Sequence, residues 1–68
     1  MQEVEVGEAG IRLGKLLKLA GLVESGGSVK TLLADGAVEV NGRPETRRGA
    51  QLSRGDNVRC GEHWVRLR

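Results

Sequence analysis

The beginning of the chain alternates polar and apolar positions with two different periods. Residues 2–6 alternate one by one, as in a short half-buried strand. From Ile11 the spacing lengthens to that of one helix face, and Gly21 is suited to the end of that helix. The apolar stripe of this face consists of Leu13, Leu16, Leu17 and Ala20. The pattern predicts a short N-terminal strand followed by a first helix.

A second apolar stripe, at Val29, Leu32 and Leu33, predicts a second helix. Ser25 is placed to cap its N-terminus, because a serine hydroxyl can accept a hydrogen bond from an unpaired backbone N–H of the first turn. Gly36 is suited to the left-handed backbone conformation that the residue after a helix often adopts. Both predicted helices are short and would be marginally stable alone. We therefore expect them to pack against each other and against a sheet.

Beyond the second helix the period changes to two. Val38 and Val40 alternate with less apolar neighbours, and the Asn-Gly pair at 41–42 is a strong hairpin signal. Pro44 has no backbone N–H to donate, so the returning strand should be short or lie at an edge. The polar and basic stretch 45–51 is expected to be an exposed loop.

Apolar alternation resumes at Leu52 and continues in two further predicted strands, around 58–60 and 65–67, separated by turns. The whole pattern predicts an α+β fold with a short N-terminal strand, two packed helices and a small, mostly antiparallel sheet. With 68 residues, we expect one domain over 1–68. A chain of this size has a small core, which argues against an interior substrate pocket.

Composition adds three constraints. Trp64 is the single aromatic residue, so the core must be aliphatic. We expect Trp64 to anchor the final strand, with stacking on a nucleobase as the alternative. One cysteine, Cys60, excludes an intramolecular disulfide. No apolar run approaches the length of a membrane span, and the acidic N-terminus is unlike a signal peptide. We expect a cytoplasmic protein without membrane contact.

Candidates for catalysis and metal binding are few. Cys60 and His63 could meet only across a hairpin, with no third group to orient them. A metal site needs three or four ligands. The spacing of Gly7, Gly10 and Gly14 does not fit a dinucleotide-binding loop. We expect no enzyme activity, no metal and no cofactor.

Charge is segregated along the chain, although the net charge is only +2. Residues 1–11 carry acids and no base, whereas 43–54 carries four arginines against one glutamate. On the first predicted helix Arg12, Lys15 and Lys18 form a ridge on the side away from the leucine stripe. Such a basic side would favour a polyanionic partner. An ordinary solvated helix face is the alternative.

Two glycines, Gly26 and Gly27, fall in the first turn of the second predicted helix, where each costs about 1 kcal/mol relative to alanine. A helix N-terminus with bare backbone N–H groups can bind an anion, and glycine allows a phosphate to approach closely. Lys30 lies on the same face as Gly27 and would add a positive charge. The alternative is a plain turn between helices.

Three segments and a later turn occur in an ordered series. They are 12–17 (RLGKLL), 21–27 (GLVESGG), 32–42 (LLADGAVEVNG) and Gly55-Asp56. In this order and spacing, over about residues 11–60, they resemble the RNA-binding domain first named in small-subunit ribosomal protein four, also called the alpha-L motif. The stretch 45–49 (ETRRG) and the turn at 25–27 are similar to the small, free-standing bacterial ribosome-associated members.

The resemblance implies binding of ribosomal or other structured RNA, with basic residues facing the RNA. We expect the target to be ribosomal RNA and the protein to be a monomer. The resemblance and the helix N-terminus together predict a binding set of Arg12, Lys15, Gly27, Lys30, Arg43, Arg47 and Arg48. The chain departs from many members at Gly14, where they carry aspartate, and at Gly26, where they carry arginine. The second departure removes an expected phosphate contact. The alternative function is a protein-interaction adaptor whose basic face docks an acidic partner.

Overall fold

The computed structural model describes residues 2–23 and 26–68, with the side chains at 26–28 left out of the description. Within these residues the helices are α1 (Leu13–Leu19) and α2 (Gly26–Ala34). The strands are β1 (Gln2–Val4), β2 (Ile11–Arg12), β3 (Val38–Val40), β4 (Arg43–Pro44), β5 (Gln51–Leu52), β6 (Asn57–Cys60) and β7 (His63–Leu67). The predicted α+β class is confirmed.

The strands form two sheets. The larger has the order β1-β7-β6-β3-β4, and the smaller pairs β2 with β5. The pair β1·β7 is parallel, and the other pairs are antiparallel. The sheet is therefore mostly antiparallel, as predicted, and the N-terminal strand lies at one edge of it.

The hairpin turn at 41–42 joins β3 to β4 and is also hydrogen-bonded to the start of β6. Asn41 and Gly42 both have positive φ, at 53° and 83°, as the favoured two-residue hairpin turn requires. The side-chain amide of Asn41 donates to Asp56 Oδ1 at 3.0 Å, and its oxygen accepts from the backbone N–H of Asn57 at 2.9 Å. Asp56 Oδ2 in turn accepts from the backbone N–H of Ser53 at 2.8 Å. The Asn-Gly and Gly-Asp motifs thus stabilise the scaffold.

The core lies between the two helices and one face of the large sheet. Its buried side chains are Leu13, Leu16, Leu17, Val29, Leu33, Val38, Ala50, Leu52, Val58, Val65 and Leu67. All are aliphatic, as the composition required. Because every second residue of a strand faces this core, the residues between them point to the opposite face of the sheet.

The glycine predictions at the helix ends are confirmed. Gly21 and Gly36 both have positive φ. After α1, the N–H of Gly21 donates to Lys18 O at 3.1 Å and that of Leu22 donates to Leu17 O at 2.9 Å. This double hydrogen bond closes a helix whose next residue is left-handed. The predicted cap at Ser25 lies outside the described residues.

Three sequence-based expectations were wrong. The first helix begins at Leu13, because Ile11 and the residue after it pair with β5 instead of entering the helix. The predicted loop 45–51 is not exposed throughout, since Ala50 is buried and the last residue of the loop belongs to β5. Trp64 was expected to be a hydrophobic anchor of the final strand, but the residue is 45% exposed. The strands β2 and β5 were not predicted, because two residues are too few to show a period.

Candidate functional site

A cleft of about 340 Å³ lies between the first helix and the loop that precedes β5. It is lined by Arg12, Gly14, Lys15, Lys18, Arg48 and Gly49. Four of these six residues have basic side chains, and two are glycines that leave the backbone accessible. We call this set of six residues the basic cleft.

Helix α1 supplies the first side of the basic cleft. Leu13, Leu16 and Leu17 are fully buried, and this burial fixes the rotation of the helix about its axis. Lys15 and Lys18, three residues apart, therefore face outward and are exposed. The leucine stripe thus determines which side of the helix is basic.

The loop before β5 supplies the opposite side. Backbone hydrogen bonds tie this loop to the start of α1: the N–H of Leu13 donates to Ala50 O, and the N–H of Gly14 donates to Arg48 O, both at 2.9 Å. The pairing of β2 with β5 holds the same region from the other end. Two N–H groups of the first helical turn, which lack partners within the helix, are satisfied in this way. The loop is consequently held against the helix.

Gly14 allows the Arg48 side chain to lie directly on the helix. A Cβ atom at position 14 would come within 2.8 Å of Arg48 Cγ and 3.3 Å of Arg48 O. Carbon atoms in favourable contact are about 3.5–4.0 Å apart, so any larger residue would displace the arginine or its loop. Gly14 does not have a positive φ, so its backbone conformation does not require glycine. The close approach of Arg48 to the helix therefore explains why position 14 is a glycine.

The basic cleft has a single sign of charge. Among the described residues, none that lines it is acidic, and Arg12, Lys15, Lys18 and Arg48 form no ion pair with a carboxylate. Like charges held close together raise the local concentration of anions. The arrangement is suited to a ligand with several closely spaced negative charges.

Arg47 differs from its neighbour Arg48 although both are exposed. Its Nη2 lies 3.1 Å from Glu45 Oε1, and its Nε and backbone N–H each donate to Glu45 Oε2 at 3.1 Å. These hydrogen bonds lower the pKa of the Glu45 carboxyl to about 2, so the glutamate is charged at neutral pH. The charge of Arg47 is therefore compensated within the loop, and Arg47 does not line the cleft.

The structure brings together three residues of the predicted binding set, Arg12, Lys15 and Arg48. Lys30 is exposed on α2 and Arg43 is exposed on β4, and neither lines the cleft. Gly27 falls in the first turn of α2, and the anion site predicted there lies outside the described side chains.

The predicted binding set omitted three of the residues that line the cleft, Gly14, Lys18 and Gly49. Lys18 continues the ridge of Arg12 and Lys15, so its signal was the helical spacing. Gly49 had no signal of its own, because its place depends on the long-range contact between the loop and α1.

Two further reactive side chains, Cys60 and His63, lie outside the basic cleft. Cys60 and His63 face each other across the β6–β7 hairpin, and burial raises the pKa of the Cys60 thiol. A raised pKa favours the thiol over the nucleophilic thiolate. Within the described part of the chain, no three His, Cys, Asp or Glu side chains are placed to hold a metal ion. Neither described helix has the length and apolar character needed to span a membrane.

Comparison with known proteins identifies the family. A family model described as "S4 domain" matches residues 4–68, which is nearly the whole chain. The chain belongs to the S4 domain family. The resemblance inferred from the ordered motifs is thereby confirmed, and the S4 domain here includes both sides of the basic cleft.

Two relatives of this S4 domain carry functional names. A Bacillus subtilis (strain 168) protein named "Probable ribosome maturation protein RlbA" is 48% identical over 48 residues, covering 71% of this chain and 68% of the relative. An Escherichia coli (strain K12) protein named "Putative RNA-binding protein YbcJ" is 39% identical over 57 residues, covering 84% of this chain and 81% of the relative.

Proposed function

We propose that this S4 domain binds structured RNA through phosphate contacts in the basic cleft and catalyses no reaction. The observation that carries the proposal is the convergence of Arg12, Lys15, Lys18 and Arg48 on one cleft with no acidic lining residue among those described. Phosphates of a folded RNA present closely spaced negative charges from neighbouring strands. Side chains from a helix and from a facing loop can contact such a pair of strands together.

Recognition by shape follows from the composition of the chain. Proteins that read single-stranded RNA stack its bases on several aromatic side chains. This chain has one aromatic residue, Trp64, which does not line the basic cleft. Lysine and arginine contacts to phosphate carry no direct information about sequence. Affinity should therefore depend on how the RNA folds.

Ribosomal RNA is the proposed target, because one relative is named for ribosome maturation and another for RNA binding. A cytoplasmic location and a monomeric state, both expected from the sequence, stay predictions. The alternative adaptor function would place an acidic protein surface in the same cleft. No described residue favours that alternative over RNA.

The proposal is tested by competition between two RNAs of equal length, one a folded hairpin and the other unstructured. We expect the hairpin to compete more strongly for the protein at 150 mM salt, because shape and not base identity is read. Fluorescence anisotropy with a labelled hairpin gives both affinities. Preference for the unstructured strand would contradict shape recognition. Displacement of the hairpin by poly-glutamate at equal charge concentration would favour the adaptor function.

The contact between Gly14 and Arg48 gives a further prediction. The substitution Gly14→Ala should reduce affinity for the hairpin by about tenfold, or roughly 1.4 kcal/mol, because the new Cβ displaces the Arg48 side chain from the cleft. Alanine is the better helix former by about 1 kcal/mol, so the loss cannot come from a weaker helix. Binding and urea unfolding are measured on the same variant.

A double-mutant cycle separates this mechanism from general damage. If Gly14→Ala acts by displacing the arginine, it should have little effect once Arg48→Ala has removed the side chain. The two losses would then be strongly non-additive. Additive losses of affinity would show that Gly14 does not act through Arg48.

A further inference from the structure

Trp64 lies on the large sheet away from the helices. In β7 it alternates with Val65, which is buried in the core, so the Trp64 side chain projects from the opposite face. It is 45% exposed, and it is the only aromatic side chain of the protein. Tryptophan is enriched among the residues that dominate binding at protein interfaces. An exposed tryptophan on a fold whose buried core is entirely aliphatic indicates a contact surface.

Neighbouring strands hold this tryptophan in place. Arg59 of β6 pairs in register with Trp64, and its guanidinium carbon lies 5.7 Å from the centre of the ring. The same guanidinium lies 3.3 Å from Glu39 of β3, so its charge is compensated. The row Glu39, Arg59 and Trp64 crosses three strands. The ring thus already accepts a guanidinium group on part of its surface, while the residue as a whole stays 45% exposed.

Beside the ring is an open hollow of about 390 Å³, lined by Gln2, Glu62, His63 and Trp64. We call these four residues the tryptophan hollow. Within the described residues, Glu62 is exposed and makes no ion pair. Among the residues that the structure describes, no lysine or arginine lines the tryptophan hollow. The lining of the tryptophan hollow is therefore acidic, whereas the described lining of the basic cleft is basic.

We propose that the tryptophan hollow docks a lysine or arginine side chain from a basic protein segment. An aromatic ring attracts a cation to its face, and a neighbouring carboxylate strengthens that attraction. Phosphate is disfavoured at the same place, because Glu62 carries a like charge and the guanidinium beside the ring, that of Arg59, is already paired with Glu39. The domain would then hold RNA in the basic cleft and a cationic protein segment on another face. This inference concerns a second partner and does not depend on the RNA proposal.

The single tryptophan makes the site directly observable, because all tryptophan fluorescence reports from this hollow. The probe is an end-capped peptide of alternating arginine and glycine, with a glutamate-glycine peptide of equal length as its control. At 150 mM salt the arginine peptide should change the fluorescence saturably, and the glutamate peptide should not. The substitution Glu62→Gln should weaken the arginine peptide by about twofold to fivefold. The matched control Glu8→Gln, at an exposed turn, should leave its affinity unchanged.

Three outcomes would overturn the proposal. The first is the absence of a saturable fluorescence change up to millimolar arginine peptide, and the second is equal affinity of Glu62→Gln and the unchanged protein. The third is a stronger fluorescence change with an unstructured oligonucleotide, which would assign the ring to base stacking. Alanine at Arg12, Lys15 and Arg48 should leave peptide affinity intact, so failure here is distinguishable from failure of the RNA proposal.

Discussion

Alanine at Arg12, Lys15 and Arg48 together is expected to lower affinity for a folded RNA hairpin by about a hundredfold at moderate ionic strength. Each lost phosphate contact should cost on the order of 1 kcal/mol, and 1.4 kcal/mol corresponds to tenfold. These residues come from β2, α1 and the loop before β5, and the structure brings them to one cleft. Titration of the variant with the labelled hairpin measures the loss.

A matched control removes the same charge elsewhere. Arg54, Arg66 and Arg68 are exposed and do not line the basic cleft, and Arg68 lies 3.5 Å from Glu3. Alanine at these three positions should weaken binding less than about threefold, since only long-range attraction, screened over about 8–10 Å, is reduced. Equal losses from the two triple variants, with both verified as folded, would mean that net charge alone determines affinity.

The substitution Leu17→Ala is expected to destabilise the domain by about 2–5 kcal/mol, because it leaves a cavity at a fully buried position of α1. A domain of 68 residues has a total stability of roughly 3–10 kcal/mol. The variant should therefore lose a large fraction of the domain's stability. Urea unfolding followed by circular dichroism measures the change.

The same helix offers a control at the next leucine. Leu19 is 61% exposed, so Leu19→Ala should change the free energy of unfolding by less than about 0.5 kcal/mol. Comparable effects of the two substitutions would contradict the packing of α1 through its leucine stripe. A stable Leu17→Ala variant would also remove the reason for the outward direction of Lys15 and Lys18.

Elements with a clear period were predictable from the sequence. Both helices, the hairpin at 41–42 and the final strands follow from local spacing, and the left-handed glycines mark the helix ends. The pairing of β2 with β5 was missed, because two residues cannot display a period and their contact joins segments about forty residues apart. Exposure of Trp64 was also missed, although alternation with Val65 and Leu67 places it on the opposite face of the final strand, because its large apolar ring was expected to be buried.

The candidate site was only partly predictable for a related reason. Helical spacing grouped Arg12, Lys15 and Lys18, but nothing local brings Arg48 to the same cleft. Sequence reasoning treated Arg47 and Arg48 alike. The structure separates them, because Arg47 forms an ion pair with Glu45, whereas the Arg48 side chain lies against α1 at Gly14. A contact across the fold is needed to assign different roles to adjacent residues.

The central claim is that the basic cleft neutralises RNA phosphates, and the salt dependence of hairpin affinity tests it most directly. With four cations lining the cleft, log K should fall with log salt at a slope of about −3.5. Alanine at Arg12, Lys15 and Arg48 should reduce the slope to about −1, while the Arg54, Arg66 and Arg68 control should retain a slope near −3.5. Equal slopes for the cleft variant and the unchanged protein would contradict phosphate binding in this cleft.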